Sequence, residues 1–585
     1  MGALYAVSGL PLDRLTAAAE RLEDGLRRQG FAAPLRLAGS AGIIGVCPPL
    51  AGGGGPLVYE CASAPDGTEG GAIVAAGTLF YRGACGSAAL PALLRDIAAG
   101  TVAEALLWGC FAVAALVRGR LVVFSDRTGT FHLYAADGGR LVSSSFLALA
   151  EGLPRRSVDV TAAWDYVFHG APHGGITPLR EISLLGPASR TTTDRDGRQF
   201  TESRPCPLPE PNGGETLEQS AERCLAILDD RFADIVRGFP DRADTALSGG
   251  YDSRLILALL RRHGSTPGLH VYGRADSDDV RVARAICAGE KLALDHTDKS
   301  ALPLPEPAAQ AEIVRRNLFA FDGYPCDGIF DSGADLATRS ARCAGGRLAL
   351  NGGGGEVFRN FFYLSDRALT ADEMRRVFWR QYDPATAGAS FDEAVYGRSF
   401  ARRIADTFGT APDQPLDRQR IEALYPYFRC RWWMGHNTSV NARLGHGLTP
   451  FADPEVVGAA LASPRPHKNF GRLQAMIIRL ADPALAAYGS AYGHAFDRRP
   501  PLARMVRESL TYVRPPWLRA RGYGLRRRPQ PLPALLAPGR VGAVFGSGLS
   551  YAGRLMRLEA LHDAAQLNRA LTLEALYRHL NADWA

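Results

Sequence analysis

The sequence predicts an α/β protein in two unequal parts, a β-rich N-terminal part and a C-terminal part built on a doubly wound parallel sheet. Two apolar runs, residues 111–117 and 121–124, are separated by Arg118-Gly119-Arg120, a pattern typical of an antiparallel hairpin. A proline-rich stretch at 205–214 then interrupts the hydrophobic periodicity. After it, short apolar strands alternate with amphipathic helical segments, which favours a parallel sheet with helices on both faces.

The composition is that of a globular protein too long for one ordinary core. The chain has 585 residues, of which 46% are hydrophobic and 22% are charged. No apolar run reaches the roughly 18 residues of a membrane span, and the first residues lack a basic signal-peptide region. We therefore expect a cytoplasmic protein without membrane insertion. The ten cysteines contain no Cys-x-x-Cys pair, so neither a zinc site nor a disulfide framework is indicated.

Arginine carries nearly all of the positive charge. The formal net charge is +7, and the lysines are Lys291, Lys299 and Lys468. The densest basic cluster, interleaved with Tyr523, comprises Arg519, Arg521, Arg526, Arg527 and Arg528, followed by Pro529 and Pro531. We interpret this cluster as a solvated loop rather than a surface for an acidic peptide or nucleic acid, and we expect no nucleic-acid partner.

The most informative motif is Ser248-Gly249-Gly250-Tyr251-Asp252-Ser253, between a predicted strand at 243–247 and a predicted helix at 253–263. The glycines let the backbone approach a ligand, and N–H groups at a helix N-terminus attract phosphate. The Asp252 carboxylate would repel phosphates unless a divalent cation lay between, and Mg²⁺ commonly binds one or two carboxylates plus phosphate oxygens. The alternative is a plain Gly-Gly turn with a serine helix cap. No lysine follows, so this is not the phosphate loop of kinases and GTPases.

This motif resembles the pyrophosphate loop of the N-type ATP pyrophosphatases, and the resemblance extends along the chain to the asparagine synthetase family. Segments similar to that family's glutaminase domain and to its crossing into the synthetase half lie at 109–114, 125–129, 132–134, 143–146 and 177–187. The resemblance implies a class II glutaminase-like layered β-sandwich flanked by helices at 1–204 and a linker at 205–214. It implies an ATP pyrophosphatase (adenine nucleotide α-hydrolase-like) synthetase domain, with a helical C-terminal part, at 215–585.

The N-terminal part departs from the family at both of its catalytic elements. A class II glutaminase uses a cysteine at the mature N-terminus, whereas residue 2 is Gly and the first cysteine is Cys47, followed by proline. Ala76 and Gly77 stand where the family has its oxyanion-binding Asn-Gly pair. An amide hydrolase without its nucleophile and oxyanion donor lacks its largest catalytic contributions. We therefore predict a catalytically silent glutaminase-like domain.

A second glycine-rich motif, Asn351-Gly352-Gly353-Gly354-Gly355-Glu356-Val357-Phe358, is similar to the family's second phosphate motif. Alignment on Glu-Val-Phe puts Gly355 where the family has its metal-binding Asp. The resemblance thus implies Asp252 and Glu356 as Mg²⁺ ligands, and a flexible glycine tract is the alternative.

Further site residues follow from the same resemblance. The implied ATP-binding residues are Leu247, Ser248, Gly249, Gly250, Asp252, Ser253, Val271, Tyr272, Gly273, Asn351, Gly352, Gly353 and Gly354. The implied catalytic residues are Asp252, Glu356, Lys468 and His494, the last as a substitute for the family's later lysine, with Arg429 and Arg431 as candidates for contacting an anion or for packing in a core helix. Ser277-Asp278-Asp279 is interpreted as a helix N-cap with acids suited to the helix dipole.

The predicted function is ATP- and Mg²⁺-dependent amide-bond formation through an acyl-adenylate. Without a working glutaminase, the amine is expected to belong to the substrate, as in the lasso-peptide macrolactam cyclases and β-lactam synthetases that the chain resembles. The substrate would be a carboxylate, favoured to be a peptide, with a protease or a leader-peptide-binding protein as partner. Two alternatives stay open: an ammonia-using asparagine synthetase or amidotransferase-like enzyme, for example in surface polysaccharide biosynthesis, and a degenerate non-catalytic partner protein.

Overall fold

The computed structural model describes residues 2–51, 53–61, 70–526, 531–546 and 548–584. Within these ranges it is a mixed α/β protein, with antiparallel sheets followed by a parallel sheet, as the sequence predicts. The division into two domains with a boundary at 205–214 stays a prediction. Among the described helices, none is long and apolar enough to cross a bilayer.

The strands before the proline-rich stretch form two antiparallel sheets. Their bounds are β1 Ala3–Ser8, β2 Leu35–Gly39, β3 Gly42–Cys47, β4 Leu57–Cys61, β5 Gly71–Tyr81, β6 Ala84–Cys85, β7 Leu107–Val117, β8 Arg120–Ser125, β9 Tyr134–Ala136, β10 Leu141–Ser143, β11 Ile182–Leu184, β12 Ser189–Asp194 and β13 Gln199–Ser203. One sheet has the order β11-β9-β10-β1-β3-β2, and the other has the order β13-β12-β8-β7-β5-β4 with β6 beside β5.

The two antiparallel sheets pack face to face between helices. Along β1, Leu4 and Ala6 enter the core between the sheets, whereas Tyr5 and Val7 face outward, as the two-residue period of a strand requires. The flanking helices are α1 Leu12–Arg28, α2 Leu90–Ala99, α3 Phe146–Gly152 and α4 Val160–His169. Helices α1 and α3 cover the outer face of the β1 sheet, and α2 covers that of the β5 sheet. The predicted hairpin is confirmed: β7 and β8 pair antiparallel across a turn in which Arg118 and Gly119 have φ of 50° and 68°.

The remaining strands form one parallel sheet. They are β14 Ala243–Ala246, β15 Gly268–Tyr272, β16 Asp295–Thr297, β17 Leu348–Leu350 and β18 His446–Leu448. Their order is β16-β15-β14-β17-β18, and every pairing is parallel. The chain moves outward on one side from β14 to β16 and then resumes on the other side at β17. The gap between β14 and β17 is therefore the topological switch point, where open α/β sheets bind ligands at the carboxyl ends of their strands.

Helices surround this sheet and continue to the C-terminal end. They are α5 Leu217–Gly238, α6 Tyr251–Arg262, α7 Asp278–Glu290, α8 Pro307–Ala320, α9 Ala334–Cys343, α10 Ala371–Met374, α11 Glu393–Asp406, α12 Arg418–Leu424, α13 Gly435–Leu444, α14 Pro454–Ala462, α15 Arg465–Lys468, α16 Arg472–Ala481, α17 Pro483–Ala487, α18 Leu502–Tyr512, α19 Pro516–Arg526, α20 Pro538–Phe545, α21 Ala552–Leu555 and α22 Ala564–Leu580. A π-helical segment, Tyr425–Met434, joins α12 to α13.

The proline-rich stretch is irregular, as predicted, but it is docked on the C-terminal helices. The Asn212 N–H donates to the Ala462 carbonyl at 2.8 Å, and the Tyr427 hydroxyl donates to the Pro207 carbonyl. Because these contacts use its backbone groups, the segment is held in place rather than acting as a loose tether.

A buried ion pair joins the N-terminal sandwich to the C-terminal helices. Asp165 of α4 has no exposed surface, and its Oδ2 lies 2.9 Å from Arg403 Nη1 of α11. The Tyr396 hydroxyl donates to Asp165 Oδ1 at 2.6 Å, and the His173 N–H donates to Oδ2 at 3.0 Å. Burial raises the pKa of Asp165, but the charge of Arg403 and the nearby imidazole of His173 outweigh burial and hold that pKa below its usual range. The carboxylate therefore stays ionised.

We expect Asp165→Ala to lower the free energy of unfolding by about 3–5 kcal/mol, because it leaves Arg403 buried without a counter-charge. Urea denaturation at pH 7 measures this loss, and Asp413→Ala in an exposed loop is the matched control. The contribution of Asp165 to stability should be complete above the ordinary aspartate pKa of ~4 and lost as the pH falls toward its lowered pKa. Equal stability of the two variants would contradict the assignment.

Candidate active site at the carboxyl edge of the parallel sheet

The serine-glycine turn after β14 is closed by its own hydroxyl groups. The Ser248 N–H donates to Ser253 Oγ at 3.0 Å, the two serine hydroxyl oxygens are 3.0 Å apart, and the Gly250 N–H donates to Ser248 Oγ at 3.3 Å. Helix α6 then begins at Tyr251, with Asp252 in its first turn. The turn thus holds a helix N-terminus and an acid at the topological switch point.

The glycine tract after β17 packs directly on this turn. An ideal Cβ on Gly352 would lie 3.1 Å from Asp252 Cβ, and one on Gly355 would lie 2.3 Å from Asp252 Oδ1. The Gly353 N–H donates to Asn351 Oδ1 at 2.9 Å, which shapes the start of the tract. A side chain at 355 would therefore have to displace the Asp252 carboxylate.

Asp252 and Glu356 converge on the guanidinium of Arg359. Arg359 Nη2 lies 3.0 Å from Asp252 Oδ2 and 3.4 Å from Glu356 Oε1. Gln474 donates to Asp252 Oδ1 at 2.7 Å, and the Tyr425 hydroxyl donates to Glu356. Burial, together with the charge of Glu356, raises the pKa of Asp252 to about 6, although Arg359 and Gln474 oppose the rise. Burial lowers the pKa of Arg359, but the two acids outweigh it and raise that pKa, so the guanidinium stays charged.

These residues fit a divalent cation in number and in donor type. The two carboxylates reach one cationic atom, and Mg²⁺ typically takes one or two protein carboxylates with phosphate oxygens completing its shell. Among the described residues, no group of three His, Cys, Asp or Glu side chains could hold a metal without a ligand's help. Arg359 occupies the point of convergence, so a divalent ion and this guanidinium compete for the same charges.

A cavity of about 270 Å³ lies beside the carboxyl ends of the central strands. Tyr272, Asn351 and Gly352, all implied nucleotide contacts, line it together with polar side chains of α9 and α13. Lys299 Nζ lies 4.5 Å from the centre of the Tyr272 ring and 3.0 Å from Asp335 Oδ1. This cavity brings cations and an aromatic ring close to the second glycine motif.

The resemblance implies that Leu247 flanks the base and that Val271 and Gly273 contact it through backbone atoms, and these contacts stay predictions. The side chains of Leu247 and Val271 are buried in the hydrophobic core, so backbone atoms alone could reach a ligand. The Gly273 N–H already donates to the Thr297 carbonyl at 3.2 Å.

Asp279 has a contact that the sequence did not reveal. Ser277 is the N-cap of α7 as predicted, its hydroxyl accepting from the Val280 N–H at 3.4 Å. Asp279, predicted only as a dipole-compatible acid, also accepts the Gly249 N–H at 2.8 Å. One N–H of the candidate phosphate turn is therefore occupied by a carboxylate.

Within the described residues, neither Lys468 nor His494 makes a hydrogen bond or ion pair with Asp252 or Glu356. Lys468 is fully buried, and its ammonium donates to Glu422. Burial raises the pKa of Glu422, but Lys468 and Arg418 together outweigh burial and lower that pKa, so Glu422 and Lys468 form an ion pair. His494 Nδ1 lies 3.3 Å from the Tyr492 carbonyl of its own loop and borders a separate cavity with Phe496. Their catalytic roles stay predictions.

The arginine predictions have mixed outcomes. Arg431 is buried and donates to the Thr128 carbonyl at 2.8 Å, which supports a packing role, whereas Arg429 stacks 4.2 Å from the Trp433 ring centre. The solvated-loop interpretation of the basic cluster is wrong for Arg519, because α19 buries it and its guanidinium donates to the Phe362 carbonyl at 2.8 Å. The rest of the cluster includes Arg527, Arg528 and Pro529, which lie outside the described residues.

Cys47, the first cysteine of the chain, is not a reactive thiol. Cys47 lies in β3 without exposed surface, and burial raises its pKa to about 12. Ala76 is fully buried in β5, and a Cβ on Gly77 would lie 2.2 Å from the Cys110 carbonyl oxygen. A thiolate nucleophile is therefore unavailable at neutral pH at Cys47.

Comparison with known proteins finds distant structural neighbours. Neither protein-family models nor curated proteins match the chain. Among solved structures, it is similar to an allosteric regulatory enzyme of purine biosynthesis (12% identity, TM-score 0.24) and to the glutamine phosphoribosylpyrophosphate amidotransferase of B. subtilis in complex with ADP and GMP (12% identity, TM-score 0.21). Each match covers 53% of this chain and 70% of the other. At these TM-scores neither neighbour bears on the chemistry of the site.

We expect Gly355→Ala to lower the free energy of unfolding by about 1–3 kcal/mol, because the added methyl group would displace the Asp252 carboxylate. Gly542→Ala is the control, since a Cβ at this helical position meets no heavy atom within 4 Å. Thermal and urea unfolding measure the difference, and similar stabilities would show that Asp252 moves aside at little cost.

Proposed function

We propose that the chain is an AMP-forming amide-bond ligase that adenylates a substrate carboxylate and transfers the acyl group to an amine. The observation that carries the proposal is the contact between the Ser248–Ser253 turn and the Gly352–Gly355 tract, with Asp252 and Glu356 facing one point. This contact lies at the topological switch point, where α/β sheets bind nucleotides. Helix α6 directs its N-terminus to the same place, which favours a bound phosphate.

The proposed reaction has two bond exchanges. A carboxylate oxygen bonds to the α-phosphorus of ATP while the bond from that phosphorus to the bridging oxygen breaks, and pyrophosphate departs with the electron pair. The amine nitrogen then attacks the acyl carbon, the bond to AMP breaks, and the amine releases its proton to solvent. When bound, Mg²⁺ would be held by Asp252 and Glu356 and would neutralise phosphate charge. Positioning and fixed charge supply the catalysis.

Arg359 has a defined part in this proposal. It neutralises Asp252 and Glu356 before nucleotide binds, and its Nη1 also donates to the Tyr492 hydroxyl at 3.2 Å. When released from the two acids, the planar donor pair of Arg359 would suit a substrate carboxylate. Arg359 is therefore proposed to couple nucleotide binding to substrate capture.

The amine is proposed to belong to the substrate. The buried, protonated thiol of Cys47 supports this choice, because the sandwich then supplies no ammonia. A peptide substrate, a macrolactam or related product, and a protease or leader-binding partner remain part of the proposal. An ammonia-using enzyme is distinguished by its amine source, because ammonium chloride would then support amide formation in place of a substrate amine.

We expect Asp252→Asn to reduce ATP–pyrophosphate exchange by about a hundred-fold or more, because it removes one of the two carboxylates proposed to hold the metal that stabilises charge. Exchange is measured with Mg·ATP and a panel of N-acetyl amino acids, with Asp413→Asn as the control. Equal exchange in both variants would place the chemistry elsewhere in the chain.

We expect the purified chain to release no glutamate from glutamine, since its thiol at Cys47 stays protonated and enclosed. A coupled glutamate dehydrogenase assay measures this release. Sustained glutamine turnover would overturn the silent-domain interpretation and favour the amidotransferase alternative.

The pairing of Arg359 with both acids favours a second candidate function, a non-catalytic partner in which the guanidinium permanently replaces the metal. Calorimetry with Mg·ATP separates the two candidates. If the chain is a ligase, the wild-type protein binds Mg·ATP and exchanges pyrophosphate. If it is a non-catalytic partner, the wild-type protein does not bind Mg·ATP, and binding appears only in Arg359→Ala or not at all.

A further inference from the structure

We propose that a cavity next to the acid pair is the acyl subsite of the ligase and selects carboxylates that carry an aromatic ring. The inference rests on the proposed function and names the substrate class of the same site. The cavity, called the aromatic cavity below, measures about 400 Å³ and lies between the chain after Glu356 and helices α18 and α19. This volume falls within the usual range of small-molecule sites.

Aromatic rings form a large part of the walls of this cavity, beside charged side chains. They include Phe361, Phe378, Phe470, Tyr512 and Tyr523. Two more rings are unusually open for their size, Tyr363 at 42% and Tyr492 at 37% exposure. Rings attract one another in offset or edge-to-face arrangements, so a pocket walled by them favours an aromatic guest over an aliphatic one.

One end of the aromatic cavity is the candidate reaction site. Glu356 and Arg359 line the cavity and also make the ion pair with Asp252. A guest whose ring contacts Phe361 would direct its carboxylate toward the Arg359 guanidinium. Four other cations line the wall. Lys468 pairs with Glu422, and Arg504 Nε lies 2.7 Å from Glu508. Arg519 donates to the Phe362 carbonyl at 2.8 Å, and Arg514 also borders the cavity.

Backbone strain supports a functional role for the same walls. Tyr363 and Phe470 have φ of 51° and 60°, a left-handed conformation that is uncommon for bulky residues. The next residue after Phe470, Gly471, has φ of 74°, and a Cβ on it would lie 2.8 Å from the Tyr251 ring, next to Asp252. Strain of this kind clusters at ligand sites, because the surrounding structure must hold it.

Helix α19 offers a test that removes no side chain. Gly522 lines the aromatic cavity, and a Cβ on it meets no heavy atom within 4 Å, so Gly522→Trp should fill the cavity without disturbing the core. Gly524 has the same open surroundings two residues along the helix, and it is not a wall residue in the described part of the chain. Gly524→Trp is therefore the matched control.

We expect wild type to show a KM for N-acetylphenylalanine about ten-fold below that for N-acetylalanine in ATP–pyrophosphate exchange, a difference typical of one well-filled apolar pocket. Gly522→Trp should remove this preference by raising the KM for the aromatic probe much more than the KM for the alanine probe. Gly524→Trp should behave as wild type. Exchange without aromatic preference, or equal effects of the two tryptophans, would overturn the subsite and leave the ligase standing.

A binding experiment keeps the inference testable without activity. Saturation-transfer NMR with N-acetylphenylalanine should detect contact with wild type and with Gly524→Trp, and contact should be lost in Gly522→Trp. If no carboxylate supports exchange but this pattern holds, the ligase proposal falls and the aromatic site stands. If the signal is the same in all three proteins, the aromatic site falls.

Discussion

Two carboxylates that meet at one partly enclosed point require a cation between them. Asp252 and Glu356 follow strands that are neighbours in the sheet, so their positions are set by the topology rather than by local sequence. The two negative charges repel each other, and their partial removal from water makes the ionised pair more costly. Arg359 meets this requirement from within the chain. Neighbouring side chains also stabilise the two negative charges. Gln474 donates a hydrogen bond to Asp252, and Tyr425 donates one to Glu356.

The sequence predicts the fold well where the signal is local. The hairpin around Arg118, the strand–turn–helix at Ser248 and the tract at Gly352 all follow from periodicity and backbone chemistry within a few residues. The partners of Asp252 do not, because Arg359 and Gln474 lie 107 and 222 residues away along the chain. The prediction of a solvated loop for the basic cluster fails at Arg519. A charged composition predicts exposure, but the packing of α19 buries this side chain against backbone carbonyls. The nucleotide and catalytic roles remain predictions, because pairing geometry alone does not report chemistry.

The N-terminal sandwich has a structural consequence for the site even without glutaminase activity. Its Thr128 carbonyl accepts from Arg431, in the middle of the π-helical segment Tyr425–Met434. The first residue of that segment, Tyr425, contacts Glu356. A π-helical turn widens the helix and is common near functional sites, and here contacts at its first residue and within its second half hold it in place. The sandwich thereby helps to set the position of one member of the acid pair.

The burial of Lys468 protects its amine from acylation in a protein proposed to make acyl-adenylates. Such mixed anhydrides acylate free amines, and the chain has three lysines among 67 basic side chains. Lys468 is enclosed and Lys299 is paired with Asp335, which leaves Lys291, at the C-terminal end of α7, as the exposed lysine amine. Arginine keeps its proton under all ordinary conditions and is a poor nucleophile. A chain whose positive charge comes almost entirely from arginine can thus attract anionic substrates while exposing few lysine amines to acylation by its own product.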